Sequence, residues 1–296
     1  MIRVSAAAKI NLNLVVTGRR ADGYHQLDSF VLFTALADIL HISLADQDSL
    51  EVCGPFAAAL DDNENLVWKA LALLRKASGQ RFGLAVRLDK QIPVAAGLGG
   101  GSADAAAALE AVNSLLEKPL EPEQLAGIGL QTGADVPLCM MARNLDAVRM
   151  QGIGERLTPL PVLPDLGIIL VNPGIRLSTA AVFGAVTADD MQPQAALQQP
   201  QQLASHEAIK QAISIGNGLL RPARGLAPPL DHILERLAGL ASMAGFIGHG
   251  MSGSGATCFA LFASVAEARQ AADAVALDCW VWSGGLSGNG ALPPQR

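Results

Sequence analysis

Four glycines within five positions, followed at once by a serine and an alanine-rich segment, form the most informative stretch of the sequence. The stretch covers residues 93–106, and its glycines are Gly97, Gly99, Gly100 and Gly101. Glycines let backbone N–H groups approach a ligand closely, because no Cβ atom intervenes. A helix that starts directly after them adds unpaired N–H groups and the positive end of its dipole. The stretch therefore predicts a cradle for an anion, most commonly a nucleotide phosphate, although a plain glycine turn is the alternative.

Polar and apolar residues alternate near the start of the chain, where residues 4–16 read as a strand. Lys9, Asn11 and Asn13 fall on one face of this strand. Asparagine is depleted in strands, so a lysine and two amides on one face indicate donors that line a cleft for anionic or polar ligand atoms. A solvated strand face is the alternative explanation.

Two loops carry further side chains that could do chemistry. The loop at residues 17–25 contains the only tyrosine of the chain, Tyr24, directly before His25. The loop at residues 132–137 holds Asp135 between small residues. By itself, such an aspartate is also compatible with an ordinary turn or capping carboxylate. Its role therefore depends on what the fold brings next to it.

Three common phosphate-binding patterns do not fit the glycine stretch. A Walker A loop requires Gly-Lys-Ser/Thr, and no lysine occurs between Lys90 and Lys118. The dinucleotide fingerprint G-x-G-x-x-G fails because position 102 is a serine, and the acidic residue expected further on has no counterpart. The HRD and DFG elements of protein kinases are missing from the sequence. The remaining interpretation is a glycine–serine loop that leads directly into a helix.

Hydrophobic periodicity supplies the elements that would position these residues. It predicts helices over residues 65–78, 105–116, 123–131, 178–186, 230–240 and 265–277, and strands over 27–44, 84–88, 168–171 and 258–262. The alanine-rich helix is predicted to be amphipathic, with Asp104 in its first turn near the positive end of the dipole. Residues 251–257 read as a second glycine-rich loop with Gly248 and Gly250 beside it, residues 187–202 as a mobile loop and residues 283–296 as a frayed end.

Length and composition favour a two-domain enzyme. Of the 296 residues, 50% are apolar, which is ample for a core. The net charge of −6 argues against a nucleic-acid binder. Four scattered cysteines without a C-x-x-C spacing argue against a zinc site or a disulfide framework. The sequence shows neither a signal-peptide pattern nor an apolar run of about 18 residues, so a cytoplasmic enzyme without a membrane span is expected.

The glycine stretch resembles the ATP loop of the GHMP kinases, which include galactokinase, homoserine kinase and mevalonate kinase. The pattern Pro93-x-x-x-Gly97-Leu98-Gly99-Gly100-Gly101-Ser102-Ala103 carries this resemblance. Within the superfamily, the chain is most similar to the kinases of a cytidyl-diphosphate-linked polyol. This closer similarity rests on the segments 8–12, 18–25, 133–137 and 253–258, whose order and spacing fit from residue 5 to about residue 262.

The resemblance implies an α+β fold of two domains with the active site in the cleft between them. Residues 1–160 would form an N-terminal α/β domain that carries the ATP loop, and residues 161–296 a C-terminal ferredoxin-like α/β domain. The implied reaction is ATP-dependent phosphorylation of the 2-hydroxyl of 4-diphosphocytidyl-2-C-methyl-D-erythritol, in the non-mevalonate route to isopentenyl diphosphate. The implied partners are ATP and this small molecule, without nucleic acid or membrane, and Mg²⁺ is expected with the ATP.

The same resemblance implies roles for individual residues. Asp135 would be the catalytic carboxylate beside the acceptor hydroxyl. Lys9 would lower the pKa of that hydroxyl and neutralise charge on the transferred phosphoryl group, as phosphoryl transfer requires. The implied substrate-binding residues are Asn11, Tyr24, His25, Thr179 and Phe183, with the cytosine held between the tyrosine and histidine on one side and the last two on the other. The implied ATP-binding residues are Pro93, Val94, Ala95, Ala96, Gly97, Leu98, Gly99, Gly100, Gly101, Ser102 and Ala103.

The chain departs from the family pattern at three places. The segment between Pro137 and Gly152 is slightly longer than usual, and Ala95 and Ala96 stand where glycines are common. The element expected to read Asn-Asp-x-Glu reads Asn-Gly-Leu-Leu at residues 217–220 and so lacks its acidic members. Neither catalytic candidate is affected by these departures.

Two alternative functions remain open at this point. A GHMP kinase for another alcohol, such as homoserine or mevalonate, is disfavoured by Tyr24 and His25, because those substrates offer no nucleobase to hold. A non-catalytic relative that binds a nucleotide or a protein partner is disfavoured by the presence of both Lys9 and Asp135.

Overall fold

The computed structural model describes residues 1–60, 65–160, 162–192, 202–275 and 277–289. These residues form two β-sheets with helices packed against them, so the predicted α+β class is confirmed. Among the described helices, none combines the length and the hydropathy that a membrane-spanning segment requires.

A seven-stranded sheet occupies the first half of the chain. Its strands are β1 (Ile2–Asn11), β2 (Val15–Arg19), β3 (His25–Ala45), β4 (Ser49–Cys53), β5 (Gly83–Asp89), β6 (Ala147–Gly152) and β7 (Arg156–Pro159). The long strand β3 is the axis of the sheet: β1 and β2 pair antiparallel with one of its edges, and β5 and β6 with the other. The pairing of β1 with β3 is irregular between Ala7 and Lys9. At that point the backbone N–H of Lys9 donates to the carbonyl of Leu98, 2.9 Å away.

Helices of the first half cover this sheet. They are α1 (Leu66–Ser78), α2 (Gly100–Asn113), α3 (Pro122–Thr132) and α4 (Val136–Met141). The side chain of Asn65 caps α1 by accepting from the backbone N–H of Val67, at 2.9 Å. Helix α2 packs against β1, α1 and α4, and it is therefore buried on nearly all sides from Ala103 to Val112. The prediction of an amphipathic helix is wrong for this reason.

A four-stranded antiparallel sheet occupies the second half, in the order β11-β8-β10-β9. Its strands are β8 (Gly167–Asn172), β9 (Phe246–Met251), β10 (Cys258–Phe262) and β11 (Trp280–Gly284). The described helices of this half are α5 (Thr179–Gly184), α6 (His206–Ser214), α7 (Leu220–Leu226), α8 (Pro229–Ala238) and α9 (Val265–Ala272). Strands β8 and β10 are buried along their whole length, which explains their continuous apolar sequence.

The hydrophobic core joins the two sheets. One cluster of buried side chains contains Phe30 of β3, Ile168 and Leu170 of β8, and Phe259 and Leu261 of β10. A second cluster lies between the larger sheet and helices α1 and α2, and a third lies under the helices of the second half. The larger sheet ends at Pro159, and the predicted domain boundary at residue 160 stays a prediction.

Several predicted boundaries are wrong. The strand predicted over residues 4–16 is two strands, and the predicted strands over 27–44 are one. The second glycine loop, predicted over 251–257, starts one residue later because β9 ends at Met251, and Gly248 and Gly250 belong to that strand. The predicted mobile loop holds a 3-10 helix at Ala188–Asp190, and its residues 193–201 lie outside the described part of the chain. Strand β11 and a 3-10 helix at Ser287–Asn289 occupy part of the predicted frayed end, whose residues 290–296 also lie outside it.

Candidate active site

A cavity of about 1070 Å³ is lined by residues of both halves of the chain. The first half contributes the segment around Lys9, the loop at residues 23–25, the glycine stretch and Asp135. The second half contributes α5 and the loop at residues 253–254. The cavity thus brings together motifs that are far apart in sequence.

Lys9 and Asp135 meet in this cavity. The Lys9 Nζ atom lies 3.8 Å from the Asp135 Oδ2 atom and donates a hydrogen bond to Asn11 Oδ1 at 2.7 Å. Lys9 is 6% exposed, whereas the Asp135 side chain is 38% exposed. Asp135 occupies the N-cap position of α4, yet its side chain makes no capping hydrogen bond. The alternative of an ordinary capping carboxylate is therefore wrong, and the carboxylate is accessible from the cavity.

The three polar residues of the first strand segment are all buried, so the alternative of a solvated strand face is wrong. Lys9 and Asn11 line the cavity. Asn11 is held by a hydrogen bond from its Nδ2 atom to Ser29 Oγ, at 2.8 Å. Asn13 instead braces the sheet, because its Oδ1 atom accepts from the backbone N–H of Phe30 at 2.8 Å.

The glycine stretch forms the wall of the cavity next to Lys9. Gly97 and Gly99 have φ angles of +75° and +70°, and even Ala95 has a φ of +54°. Helix α2 begins at Gly100, so its unpaired N–H groups belong to the same wall. Of the residues predicted to bind ATP, all line the cavity except Leu98 and Ala103. These two are 1% and 3% exposed and belong to the hydrophobic core.

The second glycine loop, residues 252–257, is hydrogen-bonded to the glycine stretch. Ser252 Oγ donates to the carbonyl of Gly97 at 3.0 Å, and the backbone N–H of Thr257 donates to the carbonyl of Ala96 at 3.2 Å. A Cβ atom at Gly97 would come within 2.4 Å of the Ser252 carbonyl oxygen. Only glycine fits there because the two backbones touch.

Asn217 fixes the second loop in turn. Its Nδ2 atom donates to the carbonyls of Met251 and Gly253, both at 2.9 Å. A Cβ atom at Gly253 would lie 3.3 Å from Lys9 Nζ. The residue at the start of the departing Asn-Gly-Leu-Leu segment therefore keeps a structural role despite the missing acidic residues.

Aromatic side chains line one part of the cavity, the aromatic end. The rings of His25 and Phe183 stack with centroids 5.4 Å apart and an angle of 27° between their planes. Tyr24 borders the same end and is 62% exposed. Thr179 Oγ1 and Ser254 Oγ lie 3.0 Å apart and share a hydrogen bond. This end therefore offers flat apolar surfaces with hydroxyl groups beside them.

His25 is a neutral ring with an unused nitrogen. Its Nε2 atom is buried and has no hydrogen-bond partner among the described residues. Burial lowers the pKa of His25 from its usual value, and the positive charge of Arg19 lowers it further. A buried polar atom without a partner is costly in a folded protein. The geometry therefore favours a ligand that supplies the missing hydrogen bond.

Sequence reasoning missed the burial and the pairing of three charged residues at the glycine stretch. Lys90 and Asp104 line the cavity and form an ion pair with each other. Asp38, on β3, forms a second ion pair with Lys90. The only signal in the sequence was the isolation of these charges: Lys90 precedes an apolar segment and Asp104 stands in a run of alanines. Asp104 lies beyond the first turn of α2, so its predicted contact with the dipole end is wrong.

The chemistry that this cavity can perform follows from its three parts. Glycine backbone N–H groups at a helix start bind phosphate oxygens. A carboxylate can accept a proton from a hydroxyl within hydrogen-bond reach, and a lysine beside it stabilises negative charge. Stacked rings bind a flat heterocycle. Among the described residues, no group of three or more His, Cys, Asp or Glu side chains could hold a metal ion.

Comparisons with family models cover both halves of the chain. The model described as GHMP kinases N terminal domain matches residues 65–143, and the model described as GHMP kinases C terminal matches residues 190–279. Each model contains part of the cavity wall.

The chain is also similar to curated proteins over most of its length. The 4-diphosphocytidyl-2-C-methyl-D-erythritol kinase of Paramagnetospirillum magneticum is 43% identical over 270 residues, which is 91% of this chain and 92% of that protein. The protein of the same name from Paracoccus denitrificans is 43% identical over 293 residues, which is 96% of this chain and 97% of that protein.

Solved structures show the same fold. A crystal structure of 4-(cytidine 5'-diphospho)-2C-methyl-D-erythritol kinase superposes with a TM-score of 0.78 at 36% identity, over 96% of this chain and 98% of that one. A homoserine kinase from Cytophaga hutchinsonii superposes with a TM-score of 0.67 at 18% identity, over 99% of this chain and 96% of that one. The second likeness concerns the fold alone.

Proposed function

The chain belongs to the 4-diphosphocytidyl-2-C-methyl-D-erythritol kinases, within the GHMP kinases, and from this premise we propose the residues that carry out its reaction. The enzyme transfers the γ-phosphoryl group of ATP to the 2-hydroxyl of the cytidyl substrate, in the non-mevalonate route to isopentenyl diphosphate. One observation supports the assignment of residues above all others. The Lys9–Asp135 pair lies in a single cavity with the glycine stretch and with the His25–Phe183 stack.

The glycine stretch is the proposed site for the phosphates of ATP. Its left-handed residues line the cavity, and the start of α2 adds the positive end of a helix dipole. Ser102, which lines the cavity, is the proposed side-chain donor to a phosphate oxygen. Leu98 and Ala103 are left out of this proposed site, because they do not line the cavity and their side chains belong to the core.

Asp135 and Lys9 are the proposed catalytic residues. The acceptor oxygen attacks the γ-phosphorus, the bond between that phosphorus and the β–γ bridging oxygen breaks, and ADP leaves. The hydroxyl proton goes to the Asp135 carboxylate, which the structure leaves without a capping bond. Lys9 stabilises the charge on the transferred group, because this transition state spreads negative charge over the phosphoryl oxygens. The separation of 3.8 Å is longer than a hydrogen bond, so the carboxylate is not blocked by the lysine.

The aromatic end is the proposed site for the cytosine. Tyr24 and Phe183 offer their ring faces, and the free Nε2 atom of His25 would bond to the polar edge of the base. Asn11, next to Lys9, and Thr179, on α5, are proposed to contact the remaining polar groups of the substrate. Hydrogen bonds to a polar edge discriminate strongly between substrates, since an analogue without that edge leaves buried groups unpaired.

Mg²⁺ is proposed to enter with ATP. Protein sites for this ion often supply only one or two carboxylates while the phosphates supply the rest. Ser102, an oxygen-bearing side chain of the cavity within the proposed phosphate site, fits such a role. When bound, the ion would neutralise charge on the phosphates. Because the donor is ATP, a cytoplasmic location is part of the same proposal.

A panel of acceptors tests the proposed function. Purified protein is incubated with MgATP and with the cytidyl substrate, homoserine, mevalonate or no acceptor, and ADP formation is measured. We expect ADP release only with the cytidyl substrate. Turnover of homoserine or mevalonate at a comparable kcat/KM would favour a kinase of another alcohol, and nucleotide binding without turnover of any acceptor would favour a non-catalytic relative.

A further inference from the structure

Three charged side chains form a buried cluster at the base of the glycine stretch. Lys90, Asp38 and Asp104 are 1%, 0% and 2% exposed. The Lys90 Nζ atom donates to Asp104 Oδ2 at 2.7 Å and also to Asp38 Oδ2. The proposed reaction assigns no task to this cluster, although Lys90 and Asp104 border the cavity.

The cluster joins the two ends of the glycine stretch to the sheet. Lys90 comes shortly before the stretch, Asp104 lies near its end, after the glycines and on α2, and Asp38 belongs to β3. The lysine therefore links the entry and the exit of the loop through one ammonium group. It also packs closely on the start of α2, because a Cβ atom at Gly100 would lie 3.1 Å from its Nζ atom.

Asp38 holds the backbone that leads into the loop. Its Oδ1 atom accepts from the backbone N–H groups of Gln91 and Ile92, at 2.6 and 2.8 Å. Its other oxygen accepts from Lys90. A single carboxylate on the central strand thus fixes three consecutive residues, and the chain enters the glycine stretch in one defined direction.

One lysine faces two aspartates in this cluster, so its positive and negative groups are unequal in number. Burial raises the pKa of Asp104 to about 8, with Lys90 opposing the shift and Asp38 adding to it. Burial disfavours the charged form of Lys90, but Asp104 and Asp38 together raise its pKa. Asp104 Oδ1 has no hydrogen-bond partner among the described residues. Buried ion clusters of this kind rarely stabilise a fold more than apolar residues of similar size would, so stability alone is a weak reason for this one.

The loop between these residues needs such a restraint. Ala95 has a φ of +54°, which is unfavourable for a residue with a Cβ atom, and Gly97 and Gly99 are also left-handed. A backbone of this kind persists only where its surroundings over-determine it. The second glycine loop restrains the middle of the glycine stretch through the bond from Ser252 to Gly97. The ion cluster restrains the two ends of the stretch.

We propose that Lys90, Asp38 and Asp104 are positioning residues that keep the glycine stretch in its phosphate-binding conformation by tying both of its ends to strand β3. The cluster acts on ATP through the loop and touches no reacting atom. This inference rests on the proposed role of the loop in ATP binding. It requires that loss of the cluster weakens ATP binding much more than binding of the acceptor, whose cytosine is assigned to the aromatic end, away from these three residues.

Binding measurements on Lys90→Met test this requirement. Dissociation constants for a non-hydrolysable ATP analogue and for the cytidyl substrate are measured separately by calorimetry, together with the Tm. We expect the constant for the ATP analogue to rise on the order of tenfold, while that for the cytidyl substrate stays within about twofold. Asp104→Asn, which keeps the side-chain size and an oxygen acceptor, is expected to give a smaller rise in the same direction. It also keeps the test decisive if Lys90→Met does not fold.

Arg149→Met is the matched control. It removes a different ion pair of the same sheet, which is only partly buried. In this pair the Arg149 Nη2 atom lies 2.7 Å from the Asp28 Oδ2 atom. We expect it to lower the Tm without changing the ratio of the two constants. If the cluster variants lower the Tm and leave that ratio at the control value, the inference is overturned and the cluster is merely structural.

The two proposals fail in different ways. Wild-type protein that binds the ATP analogue but phosphorylates no cytidyl substrate would contradict the proposed function, while the binding ratio would still decide the inference. Wild-type protein that does not bind the ATP analogue would overturn both.

Discussion

At the scale of single residues, the position of Lys9 beside Asp135 depends on an irregularity in strand β1. The pairing of β1 with β3 shifts between Ala7 and Lys9, and the Lys9 backbone turns to the carbonyl of Leu98. Lys9 therefore contacts the glycine stretch through its main chain and Asp135 through its side chain. β-Bulges commonly re-aim side chains next to active sites in this way.

Lys9→Met should reduce kcat by about 10²–10³-fold, because the positive charge beside the transferred group is lost. The far-UV circular dichroism spectrum should stay unchanged. Lys210→Met, which removes an exposed lysine from α6, is the control and should keep full activity. Activity of Lys9→Met close to that of the control would contradict the role assigned to Lys9.

Acidification should weaken binding of the cytidyl substrate through His25. Burial and the charge of Arg19 lower the pKa of this ring, so His25 is neutral at neutral pH and gains a proton only as the pH falls through that lowered value. Protonation places a charge in the cavity beside Arg19, and the dissociation constant should then rise. In His25→Asn the constant should be higher and independent of pH over the same range. An identical pH profile in both proteins would exclude His25 as the titrating group.

The sequence allowed the paired residues to be predicted but not the cluster beneath them. Lys9, His25 and Asp135 are recognisable because each stands in a specific short motif. Asp104 stands within the glycine stretch but Lys90 and Asp38 carry no motif, and only the packing of α2 on the sheet brings the three together. Burial of a charge is a tertiary property, which local spacing does not encode.

At the scale of elements, the site depends on the contact between two glycine loops. Ser252 and Thr257 of the second loop bond to Gly97 and Ala96 of the first, and Asn217 holds the second loop in place. The sequence indicated both loops by their glycines, but it could not show that one braces the other. It also did not show that Gly248 and Gly250 belong to β9, where Phe259 of β10 packs closely on Gly250.

Gly97→Ala should damage the first loop. Its φ of +75° costs an alanine about 1–2 kcal/mol, and the new Cβ atom would meet the Ser252 carbonyl oxygen at 2.4 Å. We expect a lower free energy of unfolding and weaker binding of the ATP analogue, both measurable by denaturation and calorimetry. Gly127→Ala is the control: it lies within α3 with open space around its Cβ position. This substitution should raise the free energy of unfolding by about 0.5–1 kcal/mol, and equal effects of the two substitutions would contradict the account of the loops.

At the scale of the whole molecule, one hydrophobic cluster joins the two sheets behind the cavity. It contains side chains of β3, β8 and β10, so neither sheet buries its inner face alone. The sequence predicted two domains divided at residue 160, which stays a proposal. The apolar runs of β8 and β10 showed that these strands are buried, but not that their partner is the other sheet.

Phe259→Ala should destabilise the entire chain in one step. The side chain is fully buried in the shared cluster, and such a truncation costs about 3–5 kcal/mol. Differential scanning calorimetry should show a single transition in wild type and variant, at a lower Tm in the variant. Two separate transitions, of which only one shifts, would contradict a core shared by both sheets.

The most direct test of the central claim follows the product by phosphorus NMR. Wild-type protein and Asp135→Asn are each incubated with MgATP and the cytidyl substrate, after calorimetry has shown that the variant binds both ligands. We expect wild type to form ADP and one new phosphomonoester at the 2-position, and the variant to form neither at a measurable rate. Phosphorylation at another position, or undiminished product from Asp135→Asn, would contradict it.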